Sequence, residues 1–343
     1  MVMPRVLFFL IAVLVLITAV VAHDGVHSQT DKGPFTIVKT SEKTYALFGR
    51  GGNVGIIVTD DGIVVIDDQF KELGAGIVEQ VKKISPNQIR FLINTHHHGD
   101  HTGSNDTFIK LATVIAHDNV RKHMLEAPSL VITRNTKLVQ DAEKRLPQLE
   151  QSKPDDAAKL KTQIDNWKKA IAQAQATKPE DIPAPNLTFS SEVRLYLGGE
   201  EIQVFHIKRG HTDGDSVIYL PKQKYLHMGD LYFNQTIPFI DAAGGADSGE
   251  WIESIDAVLA RVAPDSQVVP GHGKVSNLDG LRAYRQYLVD LRAAVKKAVD
   301  AGMSREDAIK NVQLPQYSSF DGYKERFGSA NVAVVYDEMK RGK

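Results

Sequence analysis

The chain has no cysteine in 343 residues. That excludes disulfides, thiolate metal ligands and lipid attachment through a cysteine, so stability must come from the packed core alone. It also lacks a charge excess, with 41 Lys+Arg against 42 Asp+Glu. A protein that grips nucleic acid usually carries a basic excess or stripe, so no nucleic-acid partner is expected. There is no internal repeat, and only one long apolar run. That run, residues 6–21, follows Arg5 and ends in Val20-Val21-Ala22. It reads as a signal peptide over residues 1–22, which implies a periplasmic or secreted protein with no stable membrane anchor after cleavage.

What remains is long enough for one large or two ordinary domains with a substantial core. After a polar leader, residues 37–48, 53–59 and 63–66 read as strands, the last two joined by an Asp60-Asp61-Gly62 turn. Residues 73–84 form an amphipathic helix stopped by Ser85-Pro86, and Ile89–Ile93 a short buried strand. A strand at 113–116 and a helix at 119–125 continue the alternation, which indicates α/β layers.

Residues 134–176 break that pattern: they are charged and helix-prone, interrupted at Pro147 and at Lys153-Pro154. Leu160, Ile164, Trp167, Ile171 and Ala174 form one apolar helical stripe. Such an insertion could be a hairpin over a site, a surface for homo-oligomer formation, or a helix packed on its own domain. Pro-rich residues 178–185 close it. Strands follow at 193–197, 201–207, 216–220, 225–228 and 267–269, with a helix at 251–262 and helices from 278 to the end, broken around 314–322.

The most informative run is Thr95-His96-His97-His98-Gly99-Asp100-His101, directly after the Ile89–Ile93 strand. In extended backbone, residues two apart share a side, so His96 and His98 can meet one ion. Asp100 and His101 follow in a turn opened by Gly99 and can reach a neighbouring ion. Imidazole and carboxylate suit the same borderline cation. His211 (in Gly-His-Thr-Asp-Gly-Asp), Asp230 (in His-Met-Gly-Asp) and His272 (in Pro-Gly-His-Gly) lie downstream, each beside a glycine where backbone can bend closely around an ion.

This ordered set resembles the metallo-β-lactamase superfamily over roughly residues 37–274. The resemblance implies a four-layered αβ/βα sandwich, an α/β fold carrying a helical insertion. Residues 23–343 would be one domain, with a core at about 35–275, an insertion at about 134–185 and C-terminal helices at about 278–343. It implies two zinc ions per chain. His96, His98 and His211 would hold one, Asp100, His101 and His272 the other, and Asp230 would bridge them. A metal-bound hydroxide would attack a carbonyl carbon of a small-molecule substrate, with Asp100 orienting it as the catalytic carboxylate. Asp67 resembles an aspartate that supports the ligands, although a turn cap is an equal reading.

Departures from the family's branches narrow the activity. His98 stands where redox members carry glutamate. Asp230 stands where many acquired β-lactamases carry cysteine, and Phe233 where they carry a substrate-gripping lysine. Glyoxalase II enzymes have a second histidine where this chain reads Gly-His-Thr-Asp-Gly-Asp. The expectation is therefore an exported hydrolase of an ester, lactone, thioester or amide, with weak β-lactam turnover in range. The alternatives are a phosphodiesterase with the same metals and a metal-bound binding scaffold. His97 is expected outside the site, His206 and His227 in the core, and His117 and His123 at the surface. Phe233, Pro238, Phe239 and Trp251 could line an apolar wall or be core.

Overall fold

In the computed structural model, which describes residues 34–341, two sheets pack face to face. The segments expected to be a signal peptide and a polar leader lie outside the described residues. The first sheet runs β1 (Thr36–Lys39), β2 (Thr44–Phe48), β3 (Val54–Thr59), β4 (Gly62–Ile66), β5 (Ile89–Ile93), β6 (Thr113–His117) and β7 (Leu187–Phe189), in that spatial order. Pairing is antiparallel from β1 to β4 and parallel from β4 to β7. The second sheet holds β8 (Glu192–Leu197), β9 (Glu200–Phe205), β10 (Val217–Leu220), β11 (Tyr225–His227), β12 (Gln267–Val269) and β13 (Ser276–Asn277).

Side-chain alternation builds the layers. In β4, Val64 and Ile66 face the second sheet, where they meet Ile202, Val204, Ile218 and Tyr225. Ile63 and Val65 face the other way, against Ile77 and Val81 of α1 (Gly74–Ile84). The outer face of the second sheet is covered by α6 (Ser248–Arg261) and α7 (Leu278–Asp300), with Trp251, Ile255, Leu281 and Leu288 buried against Val217 and Leu226. The result is the expected αβ/βα sandwich. Trp251 has no exposed surface, and its indole N–H donates to Leu231 O at 3.0 Å. Trp251→Ala is expected to cost about 3–5 kcal/mol of stability; a denaturant midpoint unchanged from wild type would show that this layer does not hold the sheet.

Several boundaries differ from the sequence reading. The strand expected over 37–48 is two strands, because residues 40–43 turn the chain back so that Thr36 pairs with Phe48. The helix expected to end near 125 continues as α4 (Asp118–Ser152), running through Pro128 and Pro147. Proline forfeits one backbone hydrogen bond but cannot end a helix whose neighbours are strong formers with a packed partner. That partner is α5 (Pro154–Ala176), antiparallel to α4. The Leu160, Ile164, Trp167 and Ile171 stripe packs on Val139, Ala142 and Leu146, so the two helices share a small core of their own. Among the described residues no helix is long and apolar enough to cross a membrane.

Candidate metal centre

The two short helices α2 (Gly99–Thr102) and α3 (Asn105–Phe108) follow β5, and the site forms where this segment meets the loops after β9, β11 and β12. Gly99 begins α2 rather than a redirecting turn, and it is α2 that turns Asp100 and His101 inward. His211 lies in the β9–β10 loop, Asp230 in a single 3-10 turn (Gly229–Leu231) after β11, and His272 in the loop after β12. Backbone bonds tie the halves together here: Ser216 N–H donates to Thr95 O at 2.8 Å and Asn53 N–H to Gly271 O at 2.7 Å.

All seven sequence-predicted ligands converge. His96 Nε2 lies 3.2 Å from His98 Nδ1, which lies 2.9 Å from His211 Nε2. His101 Nε2 lies 3.3 Å from His272 Nε2, and Asp100 Oδ2 is 3.3 Å from that same nitrogen. Asp230 stands between the two groups. Its Oδ2 is 3.3 Å from His211 Nε2 and 3.4 Å from His272 Nε2, and its Oδ1 is 3.2 Å from His101 Nε2.

The outer nitrogens fix which inner atoms carry lone pairs. His211 Nδ1–H donates to Phe239 O at 2.6 Å, and His98 Nε2–H to Asp241 Oδ2 at 2.8 Å. Asp67 anchors the other half. Its Oδ2 accepts from His101 Nδ1–H and from Thr95 Oγ1–H, each at 2.8 Å, and its Oδ1 from Thr95 N–H at 2.7 Å. Since the Thr95 hydroxyl proton is committed to Asp67, its oxygen accepts from His96 Nδ1–H at 3.0 Å. With the outer nitrogens so engaged, His96, His98 and His211 turn their remaining ring nitrogens toward one point, and His101 turns its own toward His272. Lone pairs about 3 Å apart repel unless a cation lies among them. Asp230 Oδ1 is buried without a hydrogen-bond partner, as an oxygen reserved for such a cation would be. Backbone also closes on it: a Cβ built at Gly271 would fall 1.9 Å from that atom. The residues present fit a metal pair.

Electrostatics agree. Burial pushes the His96 imidazole well below its ordinary range and His211 down to about 4. Burial raises the Asp230 carboxyl, but His272, His101, His96 and His211 outweigh it and hold it well below the usual carboxylate range. Burial likewise opposes charge on His272, yet Asp230 and Asp100 raise it to about 9.

Asp67 settles as a supporting carboxylate, with left-handed backbone at φ 59° that aims it inward. Asp241 was not legible in the sequence, since it stands alone in an Asp-Ala-Ala-Gly-Gly loop far from the histidine run. Of the two histidines expected at the surface, His117 is not there and His123 is partly exposed. His117 is buried and its Nδ1 accepts Asn119 N–H as the N-cap of α4; His123 Nε2–H donates to Asp213 at 2.8 Å. His97 is closer to the site than expected, 3.7 Å from Asp241. His227 is a core residue whose Nε2–H donates to Asn53 O at 3.1 Å. Of the apolar candidates, Phe233 is buried and stacks on His272 at 5.3 Å, and Trp251 lies beneath His211. Phe239 alone presents its ring outward, 42% exposed and 6.0 Å from His98.

A family model described as the metallo-beta-lactamase superfamily matches residues 47–272. The chain belongs to that superfamily. It is 22% identical over 223 residues to a metallo-beta-lactamase type 2 of Bacillus cereus, covering 65% of this chain and 67% of that protein. It is 21% identical over 305 residues to a linear primary-alkylsulfatase of a Pseudomonas strain, covering 82% of this chain and 52% of that protein. Among solved structures, a metallo-beta-lactamase from Pontibacter korlensis superposes with a TM-score of 0.52 at 20% identity, covering 74% of this chain and 98% of that one. The structural likeness carries the fold.

Proposed function

We propose that this chain is an exported dinuclear zinc hydrolase that cleaves an ester, lactone, thioester or amide. The observation that carries the reading is Asp230, whose carboxylate lies within 3.4 Å of a nitrogen from each ligand group. When bound, a zinc pair would acidify water to supply a nucleophile near neutral pH and would neutralise negative charge as the carbonyl opens. His96, His98, His211 and Asp230 would hold one ion, and Asp100, His101, His272 and Asp230 the other. The Asp100 side chain is 14% exposed, so its carboxylate can also accept a hydrogen bond from the nucleophile and fix its direction. Asp67, Thr95, Asp241 and the Phe239 carbonyl keep the imidazoles in the required tautomers. Export is supported by the pattern of the first 22 residues.

Phe233, packed flat on His272, puts an apolar ring where a lysine would grip a substrate carboxylate. The outward Phe239 ring favours a substrate with an apolar group beside the scissile bond. Nitrocefin, an aryl ester, a lactone, a thioester, a bis-aryl phosphate and a primary alkyl sulfate separate the reaction classes, the last added by the alkylsulfatase likeness. Turnover is expected among the carbonyl substrates, greatest for apolar acyl or aryl groups. Turnover of the phosphate or sulfate ester alone would overturn the carbonyl reading.

A further inference from the structure

Next to the two ligand groups, a third set of side chains converges. His97, His98 and Asp241 each offer a ligand atom, all within 4.8 Å of one another. Asp241 Oδ2 accepts from His98, and His97 Nε2 points at that same oxygen from 3.7 Å, beyond hydrogen-bonding range. His97 Nδ1 is buried and has no hydrogen-bond partner. It is the other nitrogen, Nε2, that faces the carboxylate without bonding it, at a spacing an intervening ion would take. The ring is held in place: it stacks on His123 at 4.3 Å, and His123 is in turn bonded to Asp213. Backbone walls the cluster opposite. A Cβ built at Gly244 would lie 2.3 Å from Asp241 Oδ2 and 2.8 Å from His97 Cε1.

We propose that His97 and Asp241 form a third, weaker divalent-cation site at the rim of the centre, one that slows the enzyme when filled. Two ligands about 2.1 Å from a tetrahedral zinc lie roughly 3.4 Å apart, close to the His97–Asp241 separation. A carboxylate has lone pairs beyond the one His98 uses, and water would complete the coordination. With two protein ligands in place of three or four, the ion binds far less tightly than the pair inside. Its cost to activity passes through His98. A cation on Asp241 weakens the bond that orients the His98 imidazole, and such supporting bonds are worth about 10–100-fold in metal affinity or rate. This inference rests on the proposed role of His98 in holding the inner ion.

The test uses the purified protein dialysed against zinc at rising free concentration, with bound metal counted and ester or lactone turnover followed in parallel. The wild type is expected to pass from about two ions per chain to about three, losing activity over the same range. His97→Ala should retain the tight pair, stop there, and require at least about tenfold more zinc for inhibition. A third ion bound equally by both proteins, or none in the wild type up to millimolar zinc, would overturn the site. A count that never reaches two in either protein would instead overturn the dinuclear reading on which it rests.

Discussion

Asp230→Ala is expected to release metal from both halves of the centre and to reduce hydrolysis by more than about 100-fold. The magnitude follows from position. Carboxylates that merely orient a ligand cost about 10–100-fold in metal affinity when removed. Asp230 touches nitrogens of both groups, at 3.3 Å from His211 and 3.2 Å from His101, so its loss acts on two ions at once. It also leaves five imidazoles crowded with no central negative charge, which raises repulsion as any of them takes a proton. The readouts are metal content after gel filtration and initial rates on the best carbonyl substrate. Retention of both ions at wild-type affinity would show that Asp230 does not bridge them.

Gly271→Ala is the second large effect, from the smallest possible change. A methyl group there would fall 1.9 Å from Asp230 Oδ1, and also 2.6 Å from the backbone carbon and 2.7 Å from the backbone oxygen of Gly229. The side chain cannot simply swing aside, because the backbone carrying it is blocked as well. The strain is expected to cost about 1–3 kcal/mol of stability. Metal affinity should fall by at least about tenfold, since the Asp230 carboxylate is displaced from between the two groups. Thermal unfolding with and without zinc separates the two terms: the wild type should gain more stabilisation from zinc than the variant does. Equal gains would mean that the loop adapts and that Asp230 keeps its place.

The cluster of candidate ligands was legible because its sequence signals are local. His96 to His101 lie within one loop and helical turn, and His211, Asp230 and His272 each sit beside a glycine in a loop that follows a strand. The strands Ile89–Ile93 and Gln267–Val269, which deliver two of these loops, read as short apolar runs directly before them. What the sequence could not supply was contact at a distance. Asp241 supports His98 across 143 residues, and nothing in its loop distinguishes it from a surface aspartate. Asp67 was balanced between a turn and the site until its left-handed backbone and three accepted hydrogen bonds placed it under His101 and Thr95. Pro147 misled for a related reason: a helix break read from a single residue misses the packing of α4 against α5 that carries the helix through it. The short edge strands Leu187–Phe189 and Ser276–Asn277 carry too few residues for any periodicity to show.

Whether these seven side chains hold two ions is read by elemental analysis of the purified protein after zinc loading and removal of weakly bound metal on a sizing column. About two zinc ions per chain are expected, held by the His96–His98–His211 and Asp100–His101–His272 groups with Asp230 between them. A stoichiometry of about one or less at saturation would contradict that expectation.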